Sequence, residues 1–224
     1  MPNLGDVAYQ SVAGAISTST HGTGLGFQSI AAGVVGLRLV AGDGSVVVLD
    51  DDHDPELRDV ARVGLGALGI LTEVTLQCVP AFNLHAIEEI LPVDQVLSSF
   101  DEWASSTDHV EFFWMPHTGL AQVKRNTRTD EVPPPARNQR HAMQRRWKRF
   151  KNKELLENVG FGAMNHVGRL RPALIPWLNR RVLNEIGRAE YLTTSYSVFA
   201  SERRVRFYEM EYAVPRESGL EAFS

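Results

Sequence analysis

One cysteine, Cys78, occurs in 224 residues. No internal disulfide can form, no cysteine-rich zinc site has ligands, and a reducing compartment is the expectation. No apolar run reaches the roughly 18 residues needed to cross a bilayer. The opening "MPNLGDVAYQ" has neither the basic start nor the apolar centre of a secretory leader. A cytoplasmic protein is expected. Positive charge is not in excess: 23 Lys and Arg face 27 Asp and Glu, for a formal net charge of -4. That gives no general pull on nucleic acid. No Gly-Lys-Ser/Thr follows a glycine-rich stretch, so there is no Walker loop. No nucleophile elbow is present, and no metal site is expected.

What stands out is "AGAISTSTHGTGLG", residues 13–26, built almost wholly from small residues around His21. Glycine lets backbone approach a ligand, and hydroxyls add donors. Such a run either forms a nest of amides for a phosphate or diphosphate, or packs as a tight loop under a sheet. In the first case the main-chain amides between Gly14 and Gly22 converge on the anion. The glycines at 22, 24 and 26 precede β-type sequence rather than a helix, unlike a dinucleotide-binding fingerprint. As a metal ligand His21 has no partners at useful spacing. A hydrogen bond inside a polar loop is its plainer role.

The rest of the chain alternates strands and helices. "GVVGLRLV" and "SVVVLD" flank Asp43-Gly44, a hairpin signal. Asp54 and Pro55 start a short helix over "DPELRDVARV". "ILTEVTLQCV" reads as a strand with Ile70, Thr72, Val74 and Leu76 on one face. Beyond Pro80, "FNLHAIEEIL" is strand-like, and "VDQVLSSFDEWAS" is a helix with Val96, Phe100 and Trp103 aligned. "HVEFFWM" and "LAQVKRN" flank "PHTG" as a hairpin. "ELLENVGFGAMNHVGRL" and "PALIPWLNRRVLNEIG" read as helices, and "RRVRFYEMEYAVP" as a long closing strand. The pattern is α+β.

Two stretches, "NLGDVAYQSVAGAISTSTHGTG" and "GLGALGILTEVTLQCVPAF", resemble the flavin-binding domain of vanillyl-alcohol-oxidase (PCMH-type) flavoproteins. "EFFWMPHTGLAQVKRN" and "RRVRFYEMEYAVPRE" are similar to its sugar-lactone oxidase branch: the L-gulonolactone oxidases or dehydrogenases and the D-arabinono-1,4-lactone oxidases. The resemblance implies residues 1–80 as a second flavin subdomain and residues 81–224 as part of a substrate cap, with an antiparallel sheet covered by helices. It implies FAD contacted by Asp6, Ser11, Gly14, Ser17, Thr18, Ser19, Thr20, His21, Gly22 and Ile70. Ser19 stands where the family has glycine, so a positive φ there would add strain of about 1 kcal/mol or more.

The resemblance also implies a missing first flavin subdomain before residue 1. The catalytic residues are expected beyond Ser224, in a Glu-x-Arg strand and a His-Trp-Gly-Lys motif; "RVRF" and "KRN" do not replace them. The chain is expected to be an inactive piece of an enzyme that oxidises a sugar-lactone carbinol by hydride transfer to flavin, with oxygen or a cytochrome as acceptor. A non-catalytic nucleotide-binding module, an interaction protein and an alditol or decaprenyl-phosphoryl-ribose oxidase stay open as alternatives.

Three side chains are candidates for substrate contact. Glu209 and Glu211 share a face of the closing strand with Val205, Phe207 and Ala213, where they line a sugar site or pair with an arginine such as Arg203 or Arg204. His117 sits in the hairpin turn. Phe112 and Trp114 read as core. Residues 137–153 hold eight Lys and Arg and no acid. That run is a solvated segment or a peripheral membrane contact.

Overall fold

The computed structural model describes residues 1–133, 158–201, 204–206 and 208–223. The basic segment 137–153 lies outside them. So does Ser224, the point beyond which the catalytic residues are expected. Two antiparallel sheets organise the chain, ordered β2-β1-β3 and β5-β6-β4-β7.

The first sheet is built from β1 (Val34–Val40), β2 (Val46–Leu49) and β3 (Ile70–Leu76). The Asp43 carboxylate turns the β1–β2 hairpin by accepting from the Ser45 amide at 2.9 Å, and Gly44 takes φ 84°. Asp54 caps α2 (Pro55–Ala61) by accepting from the Leu57 amide at 3.0 Å. The even alternation expected in β3 does not hold. Arg38 pairs with Glu73 but Leu39 pairs with Leu71, a bulge at Thr72. Below it Leu71 rather than Ile70 turns inward, and above it Val74 and Leu76 do. Ile70 is left 72% exposed. A core of Ile16, Ala31, Val34, Leu37, Leu39, Leu49 and Ala61 fills this unit.

The second sheet contains β4 (Asn83–Pro92), β5 (His109–Trp114), β6 (Leu120–Thr129) and β7 (Ala189–Thr194). β4 and β6 pair without interruption from Asn83–Thr129 to Pro92–Leu120. Helix α3 (Val93–Ser106) covers one face, where Val96, Trp103 and Phe112 pack with Leu91, Ala121 and Val123. Phe100 meets Phe112 edge-on at 5.6 Å. Helices α4 (Phe161–Leu170), α5 (Ile175–Ile186), α6 (Ser195–Phe199) and α7 (Gly219–Phe223) follow. Trp114 is 47% exposed rather than core; Phe223 of α7 lies edge-on to it at 5.6 Å.

Further differences from the sequence reading follow. The small-residue stretch opens on a helix, α1 (Val12–Ser17), started by Ser11. β7 carried no expectation. The closing strand over "RRVRFYEMEYAVP" does not form: residues 204–206 and 208–215 belong to no strand. Strand geometry needs a hydrogen-bonded neighbour, and among the described residues no strand pairs with this segment.

Candidate functional site

The site grows from the C-terminal end of α1. Ile16 is fully buried in the first core and anchors that end. The chain then leaves the helix through Ser19 in the left-handed region, φ 57°, as the family glycine at that position implies. The expected nest of amides is not what forms. Gly14 N donates to Ser11 Oγ at 3.1 Å, and Ala15 N to Ser11 O at 2.9 Å. Thr18, Ser19 and Thr20 amides donate to the Gly14, Ile16 and Ala15 carbonyls at 3.2, 3.0 and 2.8 Å. One helical turn has consumed these donors.

Side chains remain. Ser11 is spent as the cap, and the Thr18 hydroxyl donates to Gly14 O at 3.0 Å. Thr20 Oγ1 accepts from Gln10 Nε2 at 3.0 Å. The Ser17 and Ser19 hydroxyls are the donors left toward solvent. A shallow hollow joins Ser17 to Gly69 and Leu71, so the start of β3, where Ile70 lies, borders the end of α1. Asp6 serves as an anchor: its carboxylate accepts from Ser201 Oγ at 2.8 Å and its carbonyl from Ser201 N at 2.7 Å.

His21 and Glu211, 190 residues apart, are brought together. His21 Nε2 lies 2.7 Å from Glu211 Oε1, and Nδ1 lies 2.8 Å from the Gly22 carbonyl. The Gly22 carbonyl holds the imidazole above the usual histidine range; burial opposes this and Glu211 adds to it. Glu211 therefore pairs with a histidine, a partner not considered from sequence; Arg203 lies outside the described residues. Glu209 is exposed, and His117 is exposed in its hairpin turn with φ 67°; neither joins the His21 cluster.

A buried junction holds this loop from behind. Thr23 O accepts from Asn3 Nδ2 at 3.1 Å and from His109 Nδ1 at 2.8 Å. His109, fully buried at the start of β5, stacks on Phe27 at 4.6 Å and meets Phe199 edge-on at 4.8 Å. With Nδ1–H donated, its Nε2 is an acceptor with no hydrogen-bond partner among the described residues. Burial pushes the His109 pKa below the usual range, against the pull of Thr23 O, with Arg128 adding to the drop and Asp108 opposing it. The Arg128 guanidinium lies over Phe27 at 4.5 Å and Phe82 at 4.1 Å and donates to the Pro2 carbonyl. Sequence reasoning missed Asn3, His109 and Arg128, because nothing local marks a residue whose partner lies tens of positions away.

Glycine is required where this junction is tight. A Cβ on Gly22 would collide with Asn3 Oδ1 and the Leu4 carbonyl, and one on Gly24, at φ 113°, with the Asp108 carbonyl. Among the described residues, no group of three or more His, Cys, Asp or Glu could hold a metal. No helix among them is long and apolar enough to cross a membrane.

Comparisons with known proteins agree with this architecture. The chain is 41% identical over 222 residues to L-gulono-1,4-lactone dehydrogenase of Mycobacterium tuberculosis, covering 99% of this chain and 49% of that protein. It is 29% identical to L-gulonolactone oxidase of Bos taurus, covering 99% of this chain and 48% of that protein. D-arabinono-1,4-lactone oxidase of Eremothecium gossypii is 30% identical over 185 residues, 83% of this chain and 33% of that one. The chain thus spans about half or less of the length of these relatives. Among solved structures, a cholesterol oxidase variant from Brevibacterium sterolicum superposes with TM-score 0.59 at 17% identity, over 90% of this chain and 41% of that one. A solvent-stable cholesterol oxidase gives 0.61 at 18% identity, over 81% and 37%; both likenesses concern the fold. The family model described as D-arabinono-1,4-lactone oxidase matches residues 74–224, two thirds of the chain, and the chain belongs to that family.

Proposed function

We propose that this chain is the central part of an FAD-dependent oxidoreductase that oxidises the carbinol of an aldonolactone. The observation that carries the reading is the His21–Glu211 contact at 2.7 Å. It joins the small-residue loop of the first unit to the tail of the second, so the loop proposed to face FAD borders the proposed substrate cap.

The residues fit one side of a diphosphate. Ser17 and Ser19 offer neutral hydroxyl donors, and Gly14 and the other small side chains leave space. His21, held protonated more than an ordinary histidine, brings positive charge beside an anion. Glu211 orients that imidazole and Gly22 O fixes its other nitrogen, so Glu211 acts as a positioning residue rather than a sugar ligand. Asp6 and Ser11 hold the backbone of the loop, and Thr18 and Thr20 stiffen it. Ile70 lies between Gly69 and Leu71, which line the hollow beside Ser17. Glu209 and His117 remain the candidates for sugar hydroxyls.

Bound FAD would supply the hydride acceptor, and oxygen or a cytochrome would take the electrons onward. The residues that handle the substrate proton belong to the part of the enzyme beyond Ser224. The chain acts as a soluble part of that enzyme. A peripheral membrane contact rests only on the basic run 137–153.

A chimera tests the reading. The matched half of the M. tuberculosis relative is replaced by these 224 residues. The expected product is yellow and reduces a dye when given L-gulono-1,4-lactone or D-arabinono-1,4-lactone. The 224-residue chain alone is expected to give no turnover. A folded, yellow chimera that oxidises no aldonolactone overturns the substrate class; a folded, colourless one overturns the cofactor.

A further inference from the structure

Residues 208–214 have strand-like sequence and, among the described residues, no strand beside them. Tyr208, Met210, Tyr212 and Val214 are 106%, 76%, 80% and 49% exposed. Among the described residues no hydrogen bond joins the backbone of 208–214 to another segment. The segment is nevertheless held in place. Glu211 meets His21 at 2.7 Å. Just beyond Pro215, Arg216 donates from Nε and Nη2 to Asp101 Oδ1 at 3.0 and 2.7 Å. An anchored row of open N–H and C=O groups, flanked by large apolar side chains, is a template for strand addition.

We propose that residues 208–214 are a docking strand, and that its occupant is a β-strand from the polypeptide that makes up the other half of a full-length family member. That polypeptide exists in the relatives, of which this chain covers 49% and 48%. A second copy of this chain is a poor occupant. Antiparallel pairing centred on Met210 sets Glu209 against Glu211, and pairing centred on either glutamate sets it against itself; pairing centred on Tyr212 sets Glu211 against Ala213 but overlaps only residues 210–214 of the segment. Parallel in-register pairing brings the same glutamates together. Like charges directly opposite each other destabilise a sheet. The incoming strand instead presents apolar residues to Tyr208, Met210 and Tyr212, and a donor or a cation to Glu209. This inference rests on family membership and not on the flavin assignment.

Hydrogen exchange tests it, on this chain alone and mixed with the parts of the M. tuberculosis relative outside the matched region. Amides of 208–214 exchange at nearly unprotected rates alone and at least about tenfold more slowly in the mixture. Tyr212→Pro removes an amide from the docking edge. It weakens association at least about tenfold and shifts the melting temperature of the chain alone little, because the Tyr212 side chain is 80% exposed and, among the described residues, its amide bonds to no other segment. Persistent fast exchange in the mixture, or no association, overturns the proposal. Protection in the chain alone that grows with its concentration overturns it in favour of self-pairing. Flavin is read separately: a colourless complex with a protected segment keeps the docking strand and removes the flavin assignment.

Discussion

His21 and His109 pull stability in opposite directions with pH. His21 is held above the usual value of 6.5, first by the Gly22 carbonyl. A base raised on folding stabilises fully below its unfolded pKa, and that stabilisation is lost as pH rises through the folded value. His109 is held below 6.5, chiefly by burial. A base lowered on folding stabilises fully above 6.5, and that part is lost as pH falls toward the folded value. These two residues therefore make stability fall off on both sides of a maximum that lies between their folded-state pKa values. His109→Phe, which keeps the ring against Phe27, flattens the acid side only; an unchanged acid side rules out His109 as its source. Glu211→Gln lowers the His21 midpoint in an NMR titration, while the Gly22 contact keeps part of the rise. Alanine at Gly24 meets the Asp108 backbone and costs about 1–3 kcal/mol in urea unfolding, whereas alanine at Gly14 meets only the Ser11 hydroxyl at 3.1 Å and costs less. Ser19 was legible as an exception because a positive φ leaves a mark in sequence, the usual glycine. The Thr23–His109 bond left none, since either residue alone is ordinary.

Helix α1 decides where the candidate loop sits, and Ile16 decides where α1 sits. Its side chain is wholly buried among Val34, Leu37, Leu39 and Leu49. Ile16→Ala should cost about 2–5 kcal/mol and loosen the segment that follows; urea unfolding and exchange at Ser17–Gly22 amides check this. Most elements could be read beforehand where a local cause fixes them. Asp54-Pro55 starts α2, Asp43-Gly44 closes its hairpin, and Val96, Phe100 and Trp103 share a face of α3. Failures came where the cause was elsewhere. The Thr72 bulge reverses which residues of β3 face inward, and the reversal is set by the register with β1. The Ser11 cap sits before a run too short and too small to announce a helix. The tail around Met210 has the right alternation for a strand and lacks only its neighbour.

Over the whole molecule, the two sheets meet through a polar and aromatic seam rather than a simple linker. The candidate boundary near residue 80 falls in sequence at Pro80, and the seam crosses it in space. Asn3, Thr23 and Phe27 belong to one side, and Phe82, His109, Arg128 and Phe199 to the other. Residue 80 is thus a poor place to divide the gene for separate expression. Pieces 1–80 and 81–224 would each expose half of the aromatic stack, and Arg128 would lose the Pro2 carbonyl. They should precipitate or bind a hydrophobic dye when made singly, and regain solubility when made in the same cell.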